Sequence, residues 1–445
     1  MLKRMAILGA GESGTGAAIL AASKGFDVFV SDASDIKPRY RDILKKYGIA
    51  YEEGGHKVST ILSADEIIKS PGISDKTLIV QEAEKARIPV IDELEFASRY
   101  TKAKLIGISG TNGKTTTSLL THHILKNAGL DAGLGGNVGK SFAMQLAGND
   151  HDFWVLEISS FQLDRLYSFR ANIAILTNIT PDHLDRYKNF DEYAESKFRL
   201  LRNMSEGDAF IYNADDPKTL ELLGKQKKLP ACFPFSTYKK LEGNGAFIQD
   251  GKLIIHTNND PFNMTLENLA LQGRHNQCNS MAAGIASRIL EVRKPKIKES
   301  LSDFQNVEHR LEYVANVHGI EFINDSKATN VNSTWFALES MTKTIIWIAG
   351  GKDKENDYAP LLELVKLKVK AMICLGVDNS KLRSTFADSV DTIYETTSAE
   401  EAVALAYRLG EKGDVVLLSP ACASFDLFAN YEERGDKFKH AVKRL

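Results

Sequence analysis

Apolar residues in this chain fall into short unbroken runs, each followed by a glycine or polar turn and then by a segment with apolar residues at helical spacing. The clearest case is KLIGISGTNGKTTTSLLTHHILKNAG, which begins at Lys104. Residues 105–108 are apolar on both faces, as a strand inside a parallel sheet must be. Gly110, Thr111, Asn112 and Gly113 then turn the chain, and Lys114 opens a helix. The same order recurs near the start, where MAILGAGESGTG reads as strand and glycine turn, AAILAASKG as helix and DVFVSD as the next strand. Further strands are expected in IAYEE, EIIKSPGIS, WVLEISSFQLD, NIAILTNITPDHLDRY and DAFIYNADD. AFIQDGKLIIHT alternates with a period of two and suggests a small hairpin insertion. LQGRHNQCNSMAAGIASRIL reads as an amphipathic helix with His275, Asn276 and Asn279 in its first turn. The charged stretch EVRKPKIKESLSDF, with Pro295, reads as a separator, and the linker is placed near Asn306. Beyond it EYVANV, IEFINDS, TIIWIAGG, AMICLG and DVVLLSP are strands, with helices between.

Composition narrows the class without naming a chemistry. A chain of 445 residues is long enough for two to four domains, and a net charge of −2 gives no general attraction to nucleic acid or anionic membranes. Cys232, Cys278, Cys374 and Cys422 lie far apart with no C-x-x-C pair, which suggests reduced thiols and neither a disulfide frame nor a zinc site. The first strand follows Met1 almost at once, leaving no room for a signal peptide, and no apolar run is long enough to span a bilayer. The expectation is a soluble, cytoplasmic, multidomain protein.

Candidate chemistry gathers where strands end. At Gly110–Lys114 the backbone N–H groups and the positive end of a helix dipole face an anion, Lys114 reaches phosphate oxygens, and the Thr115 hydroxyl can ligate Mg²⁺. The full G-x-x-x-x-G-K-[ST] pattern is not met, because Ile108 stands where its first glycine belongs. Gly9, Gly11 and Gly14 satisfy G-x-G-x-x-G, and Asp32 closes the next strand about twenty residues on, as in dinucleotide-binding turns. Taken alone, that fingerprint suggests a nicotinamide oxidoreductase, although it reports only a diphosphate-linked nucleoside. Ser70, Pro71 and Gly72 turn off another strand end, and LGGNVGKS is a glycine-rich loop. Glu157 closes a buried strand, where a carboxylate can face a phosphate-bound cation. Asp182, His183 and Asp185 follow a further strand as three possible ligands within four residues. Lys197 sits among charges on FDEYAESKFRLLRN, where composition alone makes it a surface lysine. Asp325 to Lys327 with Thr329 and Asn330, Gly350 to Lys354, and Ser419 to Ser424 follow three strands and imply a shared crevice. The fold class is α/β in three domains. They are a Rossmann-like domain over 1–93, a central mostly parallel sheet of the P-loop ATPase type over 94–305, and a C-terminal Rossmann-like domain over 306–445.

Taken together, GTNGKTT, LEISSFQLD, TNITPDHLDRY, the lysine in AESKFR, GRHNQCNSMAA, EHRLE, NDSKATN, AGGKDK and LSPACASFD resemble the Mur ligase family over essentially the whole chain. These are ATP-dependent amide-forming enzymes of peptidoglycan precursor synthesis. The resemblance implies that ATP with Mg²⁺, in two ions, serves the reaction, and that UDP-N-acetylmuramoyl-L-alanine and D-glutamate are the substrates of a monomer. NDSKATN and SPACASFD look like a glutamate pocket, PDHLDRY looks like a metal loop, and the D-N-P-R motif of the diaminopimelate- or lysine-adding members is absent. By the same resemblance Ser13 and Asp32 lie near uridine, Ser70, Pro71 and Gly72 border that ligand, and Asn137 approaches the sugar–peptide portion. Gly110, Thr111, Asn112, Gly113, Lys114, Thr115 and Thr116 hold ATP, with Asn276, Asn279, Arg310 and Asp325 on the nucleotide side. Thr115 and Glu157 serve one cation, and His183 with a carbamylated Lys197 serves the other. Lys114, His183 and Lys197 are the catalytic set. Lys327, Thr329, Lys354, Ser424 and Phe425 form the glutamate pocket, and Tyr431 stands where such pockets often have Phe. Three alternatives stay open at this point: a family member adding alanine or the third residue, a nicotinamide oxidoreductase, and a nucleotide-gated binding module without chemistry.

Overall fold

A computed structural model describes residues 2–183, 186–257, 260–304 and 308–445, so Asp185 and the linker position Asn306 lie outside the described residues. The chain forms two compact units. One is built from Met1–Pro181, Arg186–Gln272 and Asn276–Phe304, and the other from Gln305–Leu445 with the short pieces Asp182–Asp185 and Gly273–His275. Among the described residues no helix is long and apolar enough to cross a membrane.

The first unit carries two sheets. Strands β1 (Arg4–Leu8), β2 (Asp27–Ser31), β3 (Ala50–Glu52), β4 (Glu66–Lys69) and β5 (Val90–Ile91) pair in parallel in the order β3-β2-β1-β4-β5. That order reverses at β1, so its glycine turn and the turn after β4 open side by side at the carboxyl end of the sheet. The larger sheet holds β6 (Lys104–Ser109), β7 (Ala132–Gly136), β8 (Phe153–Glu157), β9 (Ile173–Leu176), β10 (Ala209–Asn213), β11 (Ala231–Ser236), β12 (Gly245–Gln249), β13 (Lys252–His256) and β14 (Phe262–Thr265). Its order is β14-β13-β12-β11-β10-β9-β6-β8-β7, parallel throughout except for the antiparallel pairs β12–β13 and β13–β14. Strand β6, apolar and buried from Leu105 onward, runs between β9 and β8 and thereby delivers Gly110–Lys114 to the middle of the sheet's carboxyl edge. The helix Phe142–Gly148 of this sheet packs on Glu12–Ser23 of the smaller one, and Gly16 leaves the space that Ser141 fills, since a Cβ there would come within 2.1 Å of the Ser141 hydroxyl.

The second unit holds β15 (Glu312–Val317), β16 (Ile320–Asn324), β17 (Ile345–Ala349), β18 (Val369–Leu375), β19 (Ile393–Thr396) and β20 (Val415–Leu418) in the order β15-β16-β20-β17-β18-β19. Only β15 is antiparallel. The neighbours β16, β20 and β17 are those whose polar turns the sequence singles out, so the three turns do meet at one sheet edge.

Three sequence readings change. The expected hairpin is β12–β13, which with β14 extends the large sheet itself, because β12 pairs in parallel with β11. Part of the glycine-rich loop is the edge strand β7: its sequence AGLGG lacks strand-forming side chains, and Gly133 instead admits the Trp154 ring, which would lie 2.4 Å from a Cβ. The charged separator is the helix Lys294–Asp303, with Pro295 in its first turn where no N–H is needed and with Ile297 and Leu301 buried one turn apart.

Candidate active site

The turn after β6 is held from both sides. Thr111 N–H donates to the Asn178 carbonyl at 2.9 Å and Asn112 N–H to the Asn178 side-chain oxygen at 3.0 Å. The Asn112 carbonyl in turn accepts from the Asn178 amide at 3.0 Å. The Thr111 hydroxyl meets the Tyr193 hydroxyl at 3.0 Å. Gly110 (φ 145°) and Gly113 (φ 85°) occupy backbone conformations that favour glycine. A Cβ on the first would strike the Thr177 hydroxyl at 1.9 Å, and one on the second would meet the Asn279 side chain at 2.5 Å. Gly113 N-caps the helix Lys114–Asn127, whose first turn buries Thr115 and Thr116.

Two ammonium groups converge on this turn. Lys114 Nζ donates to the carbonyls of Gly110 (2.8 Å) and Thr111 (2.7 Å), while Lys197 Nζ donates to Gly110 at 2.9 Å. Lys197 is only 2% exposed and lies 4.5 Å from the centroid of the Tyr193 ring, so the surface position that composition suggests is not the one adopted. Its helix, Phe190–Phe198, is capped by the Asn189 side chain and turns Tyr193 and Lys197, one turn apart, toward the glycine turn.

Glu157, also 2% exposed, ends β8 beside β6. One carboxylate oxygen accepts from the Asn137 amide at 2.8 Å, and the other is buried with no hydrogen-bond partner among the described residues. An anionic oxygen left so costs about 1–3 kcal/mol or more, which fits a site that takes a cation. Asn276 and Asn279, on the helix Arg274–Ile289, form a relay to the same turn: Asn279 accepts from the Thr117 hydroxyl at 3.1 Å and donates to Asn276 at 3.2 Å. His183 stands in the left-handed region (φ 55°), with its N–H bonded to the Asp182 carboxylate at 2.8 Å.

On the smaller sheet, Ser70 and Gly9 are in close approach, for a Cβ on Gly9 would meet the Ser70 hydroxyl at 2.7 Å. Pro71 and Gly72 continue that turn, and Ser13 lies in the first turn of Glu12–Ser23. The Asp32 carboxylate accepts from Ala10 N–H at 2.7 Å and Ser34 N–H at 2.9 Å, so it buttresses the glycine turn directly.

In the second unit Asp325 is buried after β16, accepting from the Ser419 hydroxyl at 2.9 Å and Leu311 N–H at 3.2 Å. Burial pushes its carboxyl up to about 7, against the opposing pull of the Arg310 guanidinium. Lys327 lies 5.2 Å from the Tyr431 ring centroid. The segment carrying Lys354 and the one carrying Ser424 and Phe425 are stitched together by Lys352 N–H donating to the Ala423 carbonyl at 2.8 Å. Ser424 is buried, Phe425 is 68% exposed, and Thr329 and Lys354 are half-buried.

Sequence reasoning missed Asn178, Tyr193 and Arg434. Asn178 is the second residue past β9, and polar residues after strand ends are the signal that could have found it. In the charged helix Tyr431–Val442, Arg434 lies four and seven residues before buried Phe438 and Ala441, and that helical spacing is the signal that puts it on the buried face.

The chain matches family models for the Mur ligase MurD-like N-terminal domain over residues 3–92, the Mur ligase middle domain over 108–287, and the Mur ligase glutamate ligase domain over 309–422. It is 52% identical over the full length of both chains to proteins named UDP-N-acetylmuramoylalanine--D-glutamate ligase from Christiangramia forsetii and Bacteroides fragilis. Among solved structures, the UDP-N-acetylmuramate-alanine ligase MurC from Thermotoga maritima shares the fold with a TM-score of 0.64 at 19% identity, covering 100% of each chain.

Raised carboxyls hold their stabilising proton at low pH. Below the unfolded value near 3.8 the contribution of Asp325 is complete, and it is lost as pH rises through about 7. Asp325→Asn should remove that loss. Urea unfolding from pH 4 to 8 is expected to show the wild type losing stability relative to the variant as pH rises; a constant difference would contradict the buried, protonated carboxyl.

Proposed function

The chain belongs to the Mur ligase family, and on that premise we propose that it joins D-glutamate to UDP-N-acetylmuramoyl-L-alanine at the expense of ATP, in peptidoglycan precursor synthesis. The observation that carries the reaction type is the convergence of Lys114 and Lys197 on the Gly110 carbonyl beside the unpaired Glu157 oxygen. The names of full-length relatives at 52% identity support the choice of amino acid. Division of labour follows the sheets: residues 1–93 hold the UDP-sugar, 94–305 hold ATP, and 306–445 hold the amino acid. The protein acts as a cytoplasmic monomer serving cell-wall growth and, through it, cell shape and division.

A carboxylate is a poor electrophile, and forming an amide from it in water is uphill. Phosphorylating the alanine carboxylate with the γ-phosphoryl of ATP gives an acyl phosphate, which the glutamate amine attacks as phosphate leaves. Both steps crowd anions together, and placing positive groups beforehand is usually the largest catalytic contribution. Lys114 exchanges its loop carbonyls for phosphate oxygens, while the amides of residues 110–116 cradle the phosphates. Asn276 and Asn279 set the helix N-terminus behind them, and Arg310 and Asp325 receive the nucleoside. Ser13, Asp32, Ser70, Pro71 and Gly72 border the uridine, and Asn137 meets the sugar–peptide portion. Lys327, Thr329, Lys354, Ser424, Phe425 and Tyr431 receive D-glutamate, whose two carboxylates need cations and N–H donors.

The residues present fit Mg²⁺, since Glu157 supplies a buried anionic oxygen and Thr115 a hydroxyl in the first turn of the phosphate helix. Thr115 and Glu157 would hold one ion, and His183 and Lys197 a second. Magnesium, when bound, neutralises phosphate charge. Lys197 would serve as a ligand after its neutral amine adds CO₂, losing a proton and becoming a carbamate. Burial between the Gly110 carbonyl and the Tyr193 ring suits a single defined modification in place of a solvated ammonium.

Two substitutions test this reading. Lys114→Ala should lower kcat/KM for D-glutamate-dependent ligation by a hundredfold or more, about 3 kcal/mol of transition-state stabilisation; near-normal turnover would remove the phosphate cradle from the account. Lys197→Ala should abolish ligation and regain part of it with an added short-chain carboxylate. Full activity without any addition would show that the lysine is structural.

A further inference from the structure

Arg434 is 1% exposed, an unusual place for a guanidinium, and it lies in the helix Tyr431–Val442 beneath the three strand-end turns of the second unit. Nε donates to the Ser326 hydroxyl at 3.0 Å and Nη2 to the Ser326 carbonyl at 2.8 Å. Both Nη groups donate to the Cys422 carbonyl at 3.3 Å, and Nη1 also reaches the Gly350 carbonyl at 3.4 Å. The turn after β16, the turn after β17 and the turn after β20 therefore share one side chain. Gly351 (φ 128°) permits this approach, for a Cβ there would stand 2.2 Å from the Ala423 carbonyl and 3.2 Å from Arg434 Nη1.

All of these acceptors are neutral. A buried cation that receives carbonyls in place of carboxylates is a costly choice if only stability is at stake, because its desolvation is several kcal/mol. A lysine or a neutral donor could join two of the turns, but the planar fork is the group that can serve three in fixed relative directions. Burial lowers the Arg434 guanidinium to about 10, with Cys422 and Asp426 opposing the shift, so it stays charged at neutral pH. Ser326 relays the restraint, donating its own hydroxyl to the Tyr431 carbonyl at 2.8 Å, so the turn carrying Lys327 is tied to the helix that carries Tyr431.

We propose that Arg434 is a positioning residue for the amino-acid pocket: its guanidinium fixes Lys327 and Thr329, Lys354, and Ser424 and Phe425 relative to one another by bonding the turn on which each group sits. It touches no substrate. This inference rests on the assignment of those residues to D-glutamate, and it adds a group that the assignment does not contain. The pocket is thereby pre-set, and the ordering of three turns does not have to accompany substrate binding.

The test compares Arg434→Lys, which keeps the charge and loses the fork, with the milder Ser326→Ala, which removes one side-chain arm. Steady-state kinetics of the full chain should show KM for D-glutamate raised about tenfold or more in the first and less in the second, with KM for ATP and for the UDP-sugar within about twofold of wild type. Equal rises for all three substrates, or none in a folded variant, would overturn the proposal. Amide hydrogen exchange on the free protein supplies a second readout that needs no substrate. Exchange should quicken together at residues 326–329, 351–354 and 421–425 in Arg434→Lys, with β17 and β20 unchanged. Unaltered exchange in the three turns would refute the shared restraint. A wild type with no D-glutamate-dependent phosphate release would instead refute the functional assignment, and exchange would then decide the structural claim alone.

Discussion

The Gly110 carbonyl oxygen accepts from both Lys114 and Lys197, and that shared acceptor is the constraint on which the rest of the large sheet is built. Two ammonium groups meeting at one neutral oxygen repel each other, and on the reading proposed above that repulsion is relieved when phosphate meets Lys114 and a carbamate replaces the Lys197 ammonium. Everything around the turn serves to hold it so. Strand β6 is buried so that the turn cannot move, Asn178 bonds its backbone from one side, and Asn279 stands where a bulkier residue than Gly113 would collide. The helix dipole of Lys114–Asn127 adds to the same field. The unpaired oxygen of Glu157 answers it from β8 with opposite sign.

The second unit solves a different problem with the same architecture. Its parallel strands β16, β20 and β17 also end together, but the turns that follow are long and polar and would be mobile if each stood alone. Here a buried guanidinium takes the place of the glycine turn as organiser. Charge is handled in the same spirit, with the Asp325 carboxyl driven toward its neutral form by burial so that positive groups dominate the edge. On the reading proposed above, one sheet gathers cations for phosphate, and the other fixes donors for an amino acid with two carboxylates.

Much of this was legible in the sequence where physics is local. Buried runs such as residues 105–108 and 345–349 are short, rich in isoleucine and closed by glycine, which favours strands, and a glycine turn followed by G-K-T places a helix N-terminus. Legibility failed where a residue's environment comes from elsewhere in the chain. AGLGG becomes β7 because Trp154 on the next strand needs the space. KPKIKESLSD becomes a helix because Ile297 and Leu301 find a core to enter. Lys197 and Arg434 look solvated among neighbouring charges, yet each is drawn inward by backbone carbonyls far away in sequence. Asp32 showed a subtler limit, since a carboxylate at the expected position turned out to bond the amide of Ala10 in the very turn it follows.

The central claim is that the two strand-end sites act on one reaction, phosphate activation at one and capture of an acidic amino acid at the other. Phosphate release from ATP–Mg²⁺ tests it most directly, measured with UDP-N-acetylmuramoyl-L-alanine and, in turn, D-glutamate, L-alanine, L-lysine and diaminopimelate. The account predicts sustained release only when the UDP-sugar and D-glutamate are both present. Release that is indifferent to the amino acid, or that favours another of the four, would contradict it.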